Sequence, residues 1–352
     1  MGNADVLIDS VEVVAVDTRG PSEAGDPWQA VLVRADGAVG CFGPVDELPA
    51  AVVAARLGAA AVGWPVTDHR GLVRHLFAQL GQHRAGLGSW AVGVLDCAIW
   101  DLHGVLAERP VARLLAEKAV ARQVPVYASW LSLDLHSDDA EGAVRQTAGR
   151  GFAFTKWAVR AAGESARSIA ALAGQASAWA GGPVAIDALG TWDAVLGRAV
   201  ARALPEGAVR WVEDPLPETD CQEYRELHDE RSPLPVAFGE RVTSAVGARR
   251  LLSDCRPAAF TFDVAWCGGI TEALRLLDLA RVASVPVHLH GRALVPAVHL
   301  AAAFPQVAGA VEYQLVWEPR RQRALAHPLQ PDSDGHITLP DRPGLGLTLR
   351  WP

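Results

Sequence analysis

Seven side chains suited to acid–base or metal chemistry recur along the chain at a nearly regular interval. Successive members are separated by 31, 26, 27, 23, 27 and 22 residues, and each stands near the end of a short run of β-forming residues. The C-terminal ends of all strands of a β/α barrel open on one face, so one unit of spacing predicts that these side chains converge there. They are Lys156, Asp187, Glu213, Glu240, Asp263, His290 and Glu312.

Two kinds of chemistry follow from these residue types. Asp187, Glu213 and Glu240 would crowd negative charge unless a cation neutralised it, and hard oxygen ligands without Cys or His favour Mg²⁺ over Zn²⁺. His290, with Asp263 one unit earlier, would form a dyad in which the carboxylate orients the imidazole and raises its basicity. His288 shares the side parity of His290 in the run VPVHLH, and either could face the site. His290 is preferred because it ends the run.

The elements that must position these residues form an alternating series. Eight β-rich runs, each followed by an Ala- and Leu-rich stretch, predict an α/β protein with a closed parallel barrel. An open doubly wound sheet is the alternative, but no run is followed by a GxGxxG loop. The runs cover residues 124–130, 152–159, 183–187, 209–214, 235–240, 259–264, 285–290 and 310–314.

The part before residue 124 has a different rhythm. Two strand-like runs flank a Gly- and Pro-rich loop, and helices follow from about residue 50. Residues 89–107 carry apolar side chains at three- and four-residue spacing, which predicts a helix with one buried face.

Charge and composition exclude several classes of function. Forty acidic against 32 basic residues give a net charge of −8, which does not suit nucleic-acid binding. Five cysteines without a CxxC pair favour a reduced protein over a disulfide framework. The N-terminus lacks a secretion signal, and the apolar stretch 50–66 is broken by Arg56 and closed by Pro65, so we expect a cytoplasmic protein without a membrane span. Two basic residues are lysines, Lys118, expected to be solvated, and Lys156.

A series of motifs over almost the whole chain resembles the mandelate racemase subgroup of the enolase superfamily. They are SWAVGVLDCAIWDLHG, VPVYAS, GFAFTK, AIDALGTWD, VEDPL, GERVTS, FDVAWCGGIT, VPVHLHG and DGHITLPDRPGLGL, in the family's order. The resemblance implies a modified TIM barrel, (β/α)7β, over residues 124–327. It also implies an α+β capping domain built from residues 1–123 and completed by residues 328–352.

The same resemblance implies roles for the seven residues. Asp187, Glu213 and Glu240 would hold one Mg²⁺ per subunit, Asp263 and His290 would form the His–Asp dyad, and Glu312 would hydrogen-bond a substrate carboxylate oxygen. The family's shared step is removal of the proton α to a carboxylate, giving an enediolate that the metal stabilises. The expected partners are a small-molecule carboxylate substrate and further copies of the chain in a homo-oligomer, with no nucleic acid and no membrane.

Two positions depart from the family's pattern and bear on the reaction. Ala158 stands where the subgroup usually has a second basic residue two positions after Lys156, and Leu189 stands where Asn is common. Arg160, on the same side as Ala158, suits anion binding better than proton transfer. A racemase needs a base on each face of its substrate, whereas one histidine can take an α-proton and then protonate a departing β-hydroxyl.

We therefore expect a Mg²⁺-dependent acid-sugar (aldonate or aldarate) dehydratase, a hydro-lyase, with Lys156 as an electrostatic partner of the substrate carboxylate. The alternatives are a racemase or epimerase of a 2-hydroxy acid and a catalytically impaired homologue that binds carboxylates. Specificity is expected from capping loops at residues 19–28, which include Arg19, and 42–47. Trp130 and Trp157, near strand ends, are candidates for apolar walls or for core residues.

Overall fold

The chain forms a small antiparallel sheet, a group of helices and a parallel barrel. The computed structural model describes residues 6–16, 28–116, 118–217, 221–227 and 234–350. The antiparallel sheet consists of β1 (Ser10–Val16), β2 (Trp28–Ala35) and β3 (Ala38–Val45), in that order. Asp36 and Gly37 join β2 to β3 with positive φ angles of 48° and 75°, the backbone that a two-residue hairpin turn requires.

Five helices and a π-helical turn connect this sheet to the barrel in the described part of the chain. They are α1 (Glu47–Val52), a π-helical turn (Val53–Leu57), α2 (Gly58–Ala61), α3 (His69–Gln79), α4 (Leu87–Leu106) and α5 (Val111–Leu115).

The predicted parallel barrel is confirmed. Seven strands pair in the order β10-β4-β5-β6-β7-β8-β9 with parallel register throughout. Val287, in the seventh predicted run, bridges in parallel to Phe260 on one side and to Ala308, just before β10, on the other, which closes the ring. The strands are β4 (Gln123–Trp130), β5 (Thr155–Ala158), β6 (Val184–Asp187), β7 (Val209–Glu213), β8 (Val236–Phe238), β9 (Ala259–Phe260) and β10 (Val311–Gln314).

Helices alternate with these strands, as the sequence predicts. They are α6 (Ala140–Ala148), α7 (Ala166–Ala180), α8 (Ala194–Ala203), α9 (Cys221–Leu227), α10 (Ala245–Cys255), α11 (Ile270–Ala283), a 3₁₀ turn (Gly291–Ala293), α12 (Leu294–Ala303) and α13 (Glu318–Gln322).

Helix α4 is more deeply buried than its pattern indicated. Instead of one buried face, most of its residues from Gly88 to Gly104 are buried. Strand β3 comes so close at Gly40 that a Cβ there would overlap the backbone of Leu102, and α11 packs against another side. The helix is therefore interior to the molecule, where its polar residues need partners of their own.

One of the two expected capping loops is contradicted by the structure. The expected capping loop 42–47 is wrong, because residues 42–45 end strand β3 and Phe42 is buried; only Asp46 separates this strand from α1. Gly43 and Pro44 suggested a loop, but they are accommodated beside a register shift in the pairing with β2. The other expected loop, 19–28 with Arg19, lies outside the described residues except for Trp28, which begins β2.

The C-terminal segment returns to the first part of the chain. Strand β11 (His336–Thr338), which the sequence analysis did not predict, pairs antiparallel with the start of β4. Farther on, the N–H of Val111 donates to Gly344 O at 2.8 Å, and the N–H of Leu345 donates to Asp101 Oδ1 at 2.6 Å. Asp101 Oδ2 accepts from the N–H of Cys41 at 2.7 Å, so one carboxylate ties three segments together. The division into domains at residues 123 and 328 stays a prediction.

Candidate active site at the mouth of the barrel

The predicted dyad forms at the ends of two neighbouring barrel runs. His290 Nδ1 lies 3.0 Å from Asp263 Oδ2. Asp263 is itself held by backbone N–H groups, with Oδ1 accepting from Ala265 at 2.9 Å and from Trp266 at 3.0 Å. Because the carboxylate accepts at Nδ1, the other ring nitrogen, Nε2, is directed toward the mouth of the barrel.

Several negative groups surround the His290 imidazole. Burial alone would lower its pKa, but Glu312, Glu240 and the hydrogen bond and charge of Asp263 outweigh burial and raise the pKa to about 10. Glu312 Oε2 lies 3.6 Å from His290 Nε2. Asp263, Glu312 and Glu240 together therefore favour the protonated imidazole. The role of the dyad in proton transfer stays a prediction.

Lys156 lies among three carboxylates inside the barrel. Its Nζ is 2.9 Å from Glu213 Oε1, 3.1 Å from Glu312 Oε1 and 3.3 Å from Asp187 Oδ2, and the residue is only 1% exposed. Burial would lower its pKa, but these carboxylates and Tyr127 raise it well above the ordinary value. Lys156 is thus the counterion of three buried carboxylates of the protein itself, two of them predicted metal ligands, whereas the sequence predicted it as the partner of a substrate carboxylate.

Glu312 is buried beneath the site. Burial would raise its pKa, but Lys156 and His290, with hydrogen bonds from the Ser129 side chain and the Gly291 N–H, lower it to about 2. It is not among the residues that line the cavity described below. Its predicted hydrogen bond to a substrate carboxylate stays a prediction.

The predicted metal ligands are oxygen donors in a region of excess negative charge. Burial, followed by the charges of Asp187 and Glu312, raises the pKa of Glu213 to about 7 even though Lys156 opposes the rise. Burial and the charges of Glu213, Glu240 and Asp187 raise the pKa of the adjacent Asp214 well above its ordinary value. This donor set fits a hard divalent cation, which would relieve the repulsion. Within the described ranges, however, no three His, Cys, Asp or Glu side chains are gathered as a ready metal-binding group.

A cavity of about 360 Å³ opens above the dyad at the C-terminal ends of the strands. Asp187, Glu240 and His290 all reach it, so two of the predicted metal ligands and the predicted base share one space. Its lining consists of Ser129, Leu131, Ser132, Arg160, Asp187, Leu189, Glu240, Trp266, His290, Arg292, Gln314, Val316, Trp317 and Arg321.

The two positions that depart from the family's pattern are both next to this site. Ala158 is buried and pairs in register with Asp187, whereas Leu189 and Arg160 reach the cavity. The Leu189 N–H donates to Asp187 Oδ1 at 2.9 Å, and this backbone contact does not depend on the side chain that replaces Asn. Among the described lining residues there is no second histidine and no lysine, cysteine or tyrosine.

The aromatic and histidine alternatives left open by the sequence are resolved. Trp157 is a core residue, 1% exposed, whose Nε1 donates to Thr155 Oγ1 at 2.9 Å, and neither it nor Trp130 lines the cavity. His288 lies one layer below His290 and packs between the rings of Tyr127, Phe154 and Trp211. Burial lowers its pKa to about 4.

Several cavity residues were not predicted from the sequence, and Trp266, Arg292, Gln314 and Arg321 are among them. Gln314 and Arg292 each follow a predicted site residue by two positions, so strand parity could have indicated them. Arg292 pairs with Asp46 and lies over the rings of Trp90 and Trp266. Burial and the neighbouring Arg321 lower its pKa to about 10. No periodicity marks Arg321, which lies on the short helix α13 after the last strand.

Two further expectations concern the whole chain. The side chains of Cys41, Cys97, Cys255 and Cys267 are buried, and these four form no disulfide bond within the part of the chain that the structure describes. No described helix is both long and apolar enough to cross a membrane.

Known proteins are similar to this chain in sequence and in fold. Residues 138–352 match the family model "Enolase C-terminal domain-like". D-xylonate dehydratase of Haloferax volcanii is 31% identical over 159 residues, covering 43% of this chain and only 37% of that protein. Arabinonate dehydratase of Saccharolobus solfataricus is 24% identical over 280 residues, covering 76% of this chain and 72% of that protein.

A solved structure matches the whole architecture. The mandelate racemase/muconate lactonizing protein of Paracoccus denitrificans PD1222, complexed with magnesium, superimposes with a TM-score of 0.85 over 98% of this chain and 96% of that one, at 24% identity. The (β/α)7β barrel, the order of the strand-end residues and the family match agree, and the chain belongs to the enolase superfamily, in its mandelate racemase-like subgroup.

Proposed function

We propose that this protein is a Mg²⁺-dependent acid-sugar dehydratase that acts on aldonates or aldarates. The observation that carries the proposal is the His290–Asp263 pair at a cavity whose described lining holds no second histidine and no lysine, and whose two carboxylates, Asp187 and Glu240, are the predicted metal ligands. The two dehydratases described above act on acids of this class, according to their names, and support the same conclusion.

His290 would carry both proton transfers. Its Nε2 takes the proton α to the substrate carboxylate, while Asp263 holds Nδ1–H and keeps the ring oriented. The same Nε2–H then protonates the β-hydroxyl, the C–O bond breaks, and water leaves. The electron pair of the α C–H bond becomes the C–C π bond of an enol, which tautomerises to a 2-keto-3-deoxy acid.

Lys156 and the carboxylates would supply the charge balance that the first transfer needs. Lys156, fixed by contacts of 2.9–3.3 Å, places a compact positive charge below the cavity floor. Asp187, Glu213 and Glu240 would hold one Mg²⁺ per subunit, which when bound supplies positive charge opposite the negative charge that develops on the substrate carboxylate. Arg160 and Arg292 would contact the distal part of the substrate from the cavity wall.

The test is turnover of a library of aldonates and aldarates by the purified protein with Mg²⁺. We expect a 2-keto-3-deoxy product from at least one member, and His290→Asn should lower the rate by about 10²- to 10⁴-fold. His83→Asn, at an exposed histidine away from the cavity, is the matched control and should retain full activity. No product from any member of the library would contradict the dehydratase.

Exchange of the substrate α-proton with deuterated water separates the alternatives. The name of the Paracoccus denitrificans protein includes a racemase. A racemase or epimerase should exchange the α-proton and invert the α-carbon without losing water. A carboxylate-binding homologue should bind the ligand with no exchange. Exchange that His290→Asn abolishes, accompanied by loss of water, supports the dehydratase.

We further propose a cytoplasmic homo-oligomer. Light scattering after size exclusion checks the assembly, and metal analysis after dialysis checks the predicted stoichiometry of one Mg²⁺ per chain. Asp187→Asn and Glu240→Gln should each lower Mg²⁺ affinity, as measured by calorimetry.

A further inference from the structure

A chain of polar side chains, all buried except the half-buried Gln314, leads from helix α13 to the imidazole of His290. One nitrogen of Arg321, Nη1, donates to Glu318 Oε2 and to Gln314 Oε1, both at 2.9 Å. Gln314 Nε2 in turn lies 3.4 Å from His290 Nε2. Glu318 and Arg321 are 2% and 4% exposed. Gln322 Nε2 completes the network by donating to Glu318 Oε1 at 2.6 Å.

An ion pair this deep is not explained by stability alone. Removing both charges from water costs free energy that their attraction often fails to recover, so an apolar pair of similar volume is commonly as stable. What the Glu318–Arg321 pair does achieve is a fixed guanidinium beside Gln314, the last residue of β10. The ion pair therefore fixes the partner of the Gln314 side chain, which lies between Arg321 and the His290–Asp263 dyad.

Arg321 determines which end of the Gln314 amide faces His290. A guanidinium can only donate hydrogen bonds, so the amide oxygen must point toward Arg321 and the amide NH₂ toward His290. The NH₂ group also can only donate, so the contact at His290 Nε2 is satisfied when that nitrogen carries a lone pair. Since Asp263 accepts at Nδ1, the arrangement fits a neutral imidazole with its proton on Nδ1.

The other groups around His290 act in the opposite direction. Asp263 at Nδ1, Glu312 Oε2 at 3.6 Å from Nε2 and the charge of Glu240 all favour the imidazolium. Trp266 covers the ring with a centroid separation of 5.3 Å and adds no charge. Among the described contacts of this imidazole, the Gln314 amide is the one that favours the neutral form at Nε2.

We propose that Gln314, oriented by Arg321 and Glu318, is a positioning residue that keeps Nε2 of His290 unprotonated until a bound substrate displaces the 3.4 Å amide contact and presents its α-proton to the lone pair. The assignment rests on the proposed function insofar as His290 is the base of that reaction. Once Nε2 has taken the α-proton, the amide NH₂ of Gln314 faces the new N–H of His290, and both groups can only donate. The contact is then unfavourable until the proton passes to the departing hydroxyl, so one device assists both transfers.

The experiment measures the protonation state of His290 without a substrate. Diethyl pyrocarbonate acylates neutral imidazole, and peptide mass spectrometry gives the rate at His290 relative to the exposed His83 in the same metal-free sample at one pH. For Gln314→Leu we expect a rate about tenfold lower, since loss of roughly one hydrogen bond to the neutral form shifts the equilibrium toward the imidazolium by about that factor. Gln314→Glu, which has nearly the same shape, should be slower still.

Two variants test the orientation and the chemistry of the change. Arg321→Lys retains a donor toward Gln314 and should keep the His290 rate within about threefold of the parent. Gln79→Leu is the matched control, because Gln79 Nε2 also lies 3.4 Å from a histidine nitrogen, His75 Nε2, on helix α3. It should leave the His290 rate unchanged.

The outcomes separate positioning from simple packing. If Gln314 only filled space, Gln314→Leu would leave the rate unchanged or raise it by opening access to the ring, and either result overturns the proposal. Gln314→Met, which is close in size to glutamine and donates no hydrogen bond, keeps the test decisive if the Leu variant does not fold. A slower rate in both variants supports the proposal even if no sugar acid is turned over, so its failure and that of the dehydratase function are distinguishable. Where turnover is found, the acidic limb of the kcat/KM profile should move to higher pH in Gln314→Leu.

Discussion

Removal of the Lys156 ammonium should destabilise the protein by an amount that depends on pH. Lys156→Met keeps most of the side-chain length but leaves Asp187, Glu213 and Glu312 without the charge that now lies 2.9–3.3 Å from each of them. Breaking a buried ion pair costs about 3–5 kcal/mol. That is a large part of the roughly 5–15 kcal/mol by which folded proteins are stable.

The direction of the pH dependence follows from the two glutamates. Glu213 already has a pKa raised to about 7 by burial and by the neighbouring carboxylates, and loss of Lys156 raises it further. An acid with a raised folded-state pKa contributes stability below its unfolded value, about 4.3, that is lost as the pH rises through the folded value. Glu312, lowered to about 2, contributes stability above about 4.3 that depends on Lys156. The loss of unfolding free energy in Lys156→Met, relative to the parent, should therefore be largest above pH 8. It should become smaller as the pH falls toward 4 and below.

Urea unfolding in the presence of a chelator, followed by tryptophan fluorescence at pH 5 and pH 8, measures this deficit. Lys118→Met is the matched control, since Lys118 is exposed and is the other lysine of the chain. We expect it to change the free energy of unfolding by less than about 0.5 kcal/mol. A Lys156→Met deficit below about 1 kcal/mol at pH 8, or one of equal size at both pH values, would refute the assignment of Lys156 as the counterion.

Three further predictions concern the same framework. Lys156→Arg should lower kcat/KM by more than about tenfold, because a planar fork cannot replace a compact ammonium among three carboxylates, whereas Lys118→Arg should be neutral in the same assay. Burial raises the folded-state pKa of Asp96 to about 7, so its protonated form contributes stability below pH 4 that is lost by pH 7. Between pH 4 and pH 7 the parent should thus lose up to about 4 kcal/mol of unfolding free energy that Asp96→Asn does not lose, as measured by urea titrations. Gly93→Ala, whose Cβ would overlap Ala265 O, should lower the unfolding free energy by about 1–3 kcal/mol, and Gly142→Ala, where nothing lies within 4 Å, should raise it by about 0.5–1 kcal/mol.

The barrel was predictable because its signal is periodic. One strand–helix unit separates each strand-end residue from the next, so Asp263 and His290 could be paired from their positions alone. The contact between Gln314 and Arg321 could not be predicted, because it joins the last strand to an irregularly placed five-residue helix. The loop prediction at residues 42–47 was wrong because turn-forming residues, Gly43 and Pro44, lie within an edge strand of a sheet.

The apolar pattern of helix α4 did not indicate the hydrogen bonds that this buried helix makes to the segment after Asp263. Ser89, Gly93, Asp96 and Trp100 are separated by four, three and four residues, so they share one face. Ser89 Oγ donates to Trp266 O at 2.8 Å, Asp96 accepts from the N–H and hydroxyl of Thr271 at 2.9 and 2.7 Å, and Trp100 Nε1 donates to the same hydroxyl at 2.9 Å.

These contacts fix the segment that follows Asp263. Gly93 allows Ala265 O to approach α4 directly, and the Ala265 and Trp266 N–H groups that hold the Asp263 carboxylate belong to the same segment. The orientation of Asp263, and through it that of His290, thus depends on a helix that precedes the barrel in the chain. A bulkier residue at position 93 should consequently lower kcat of the proposed reaction as well as stability, although α4 supplies no residue to the described lining of the cavity.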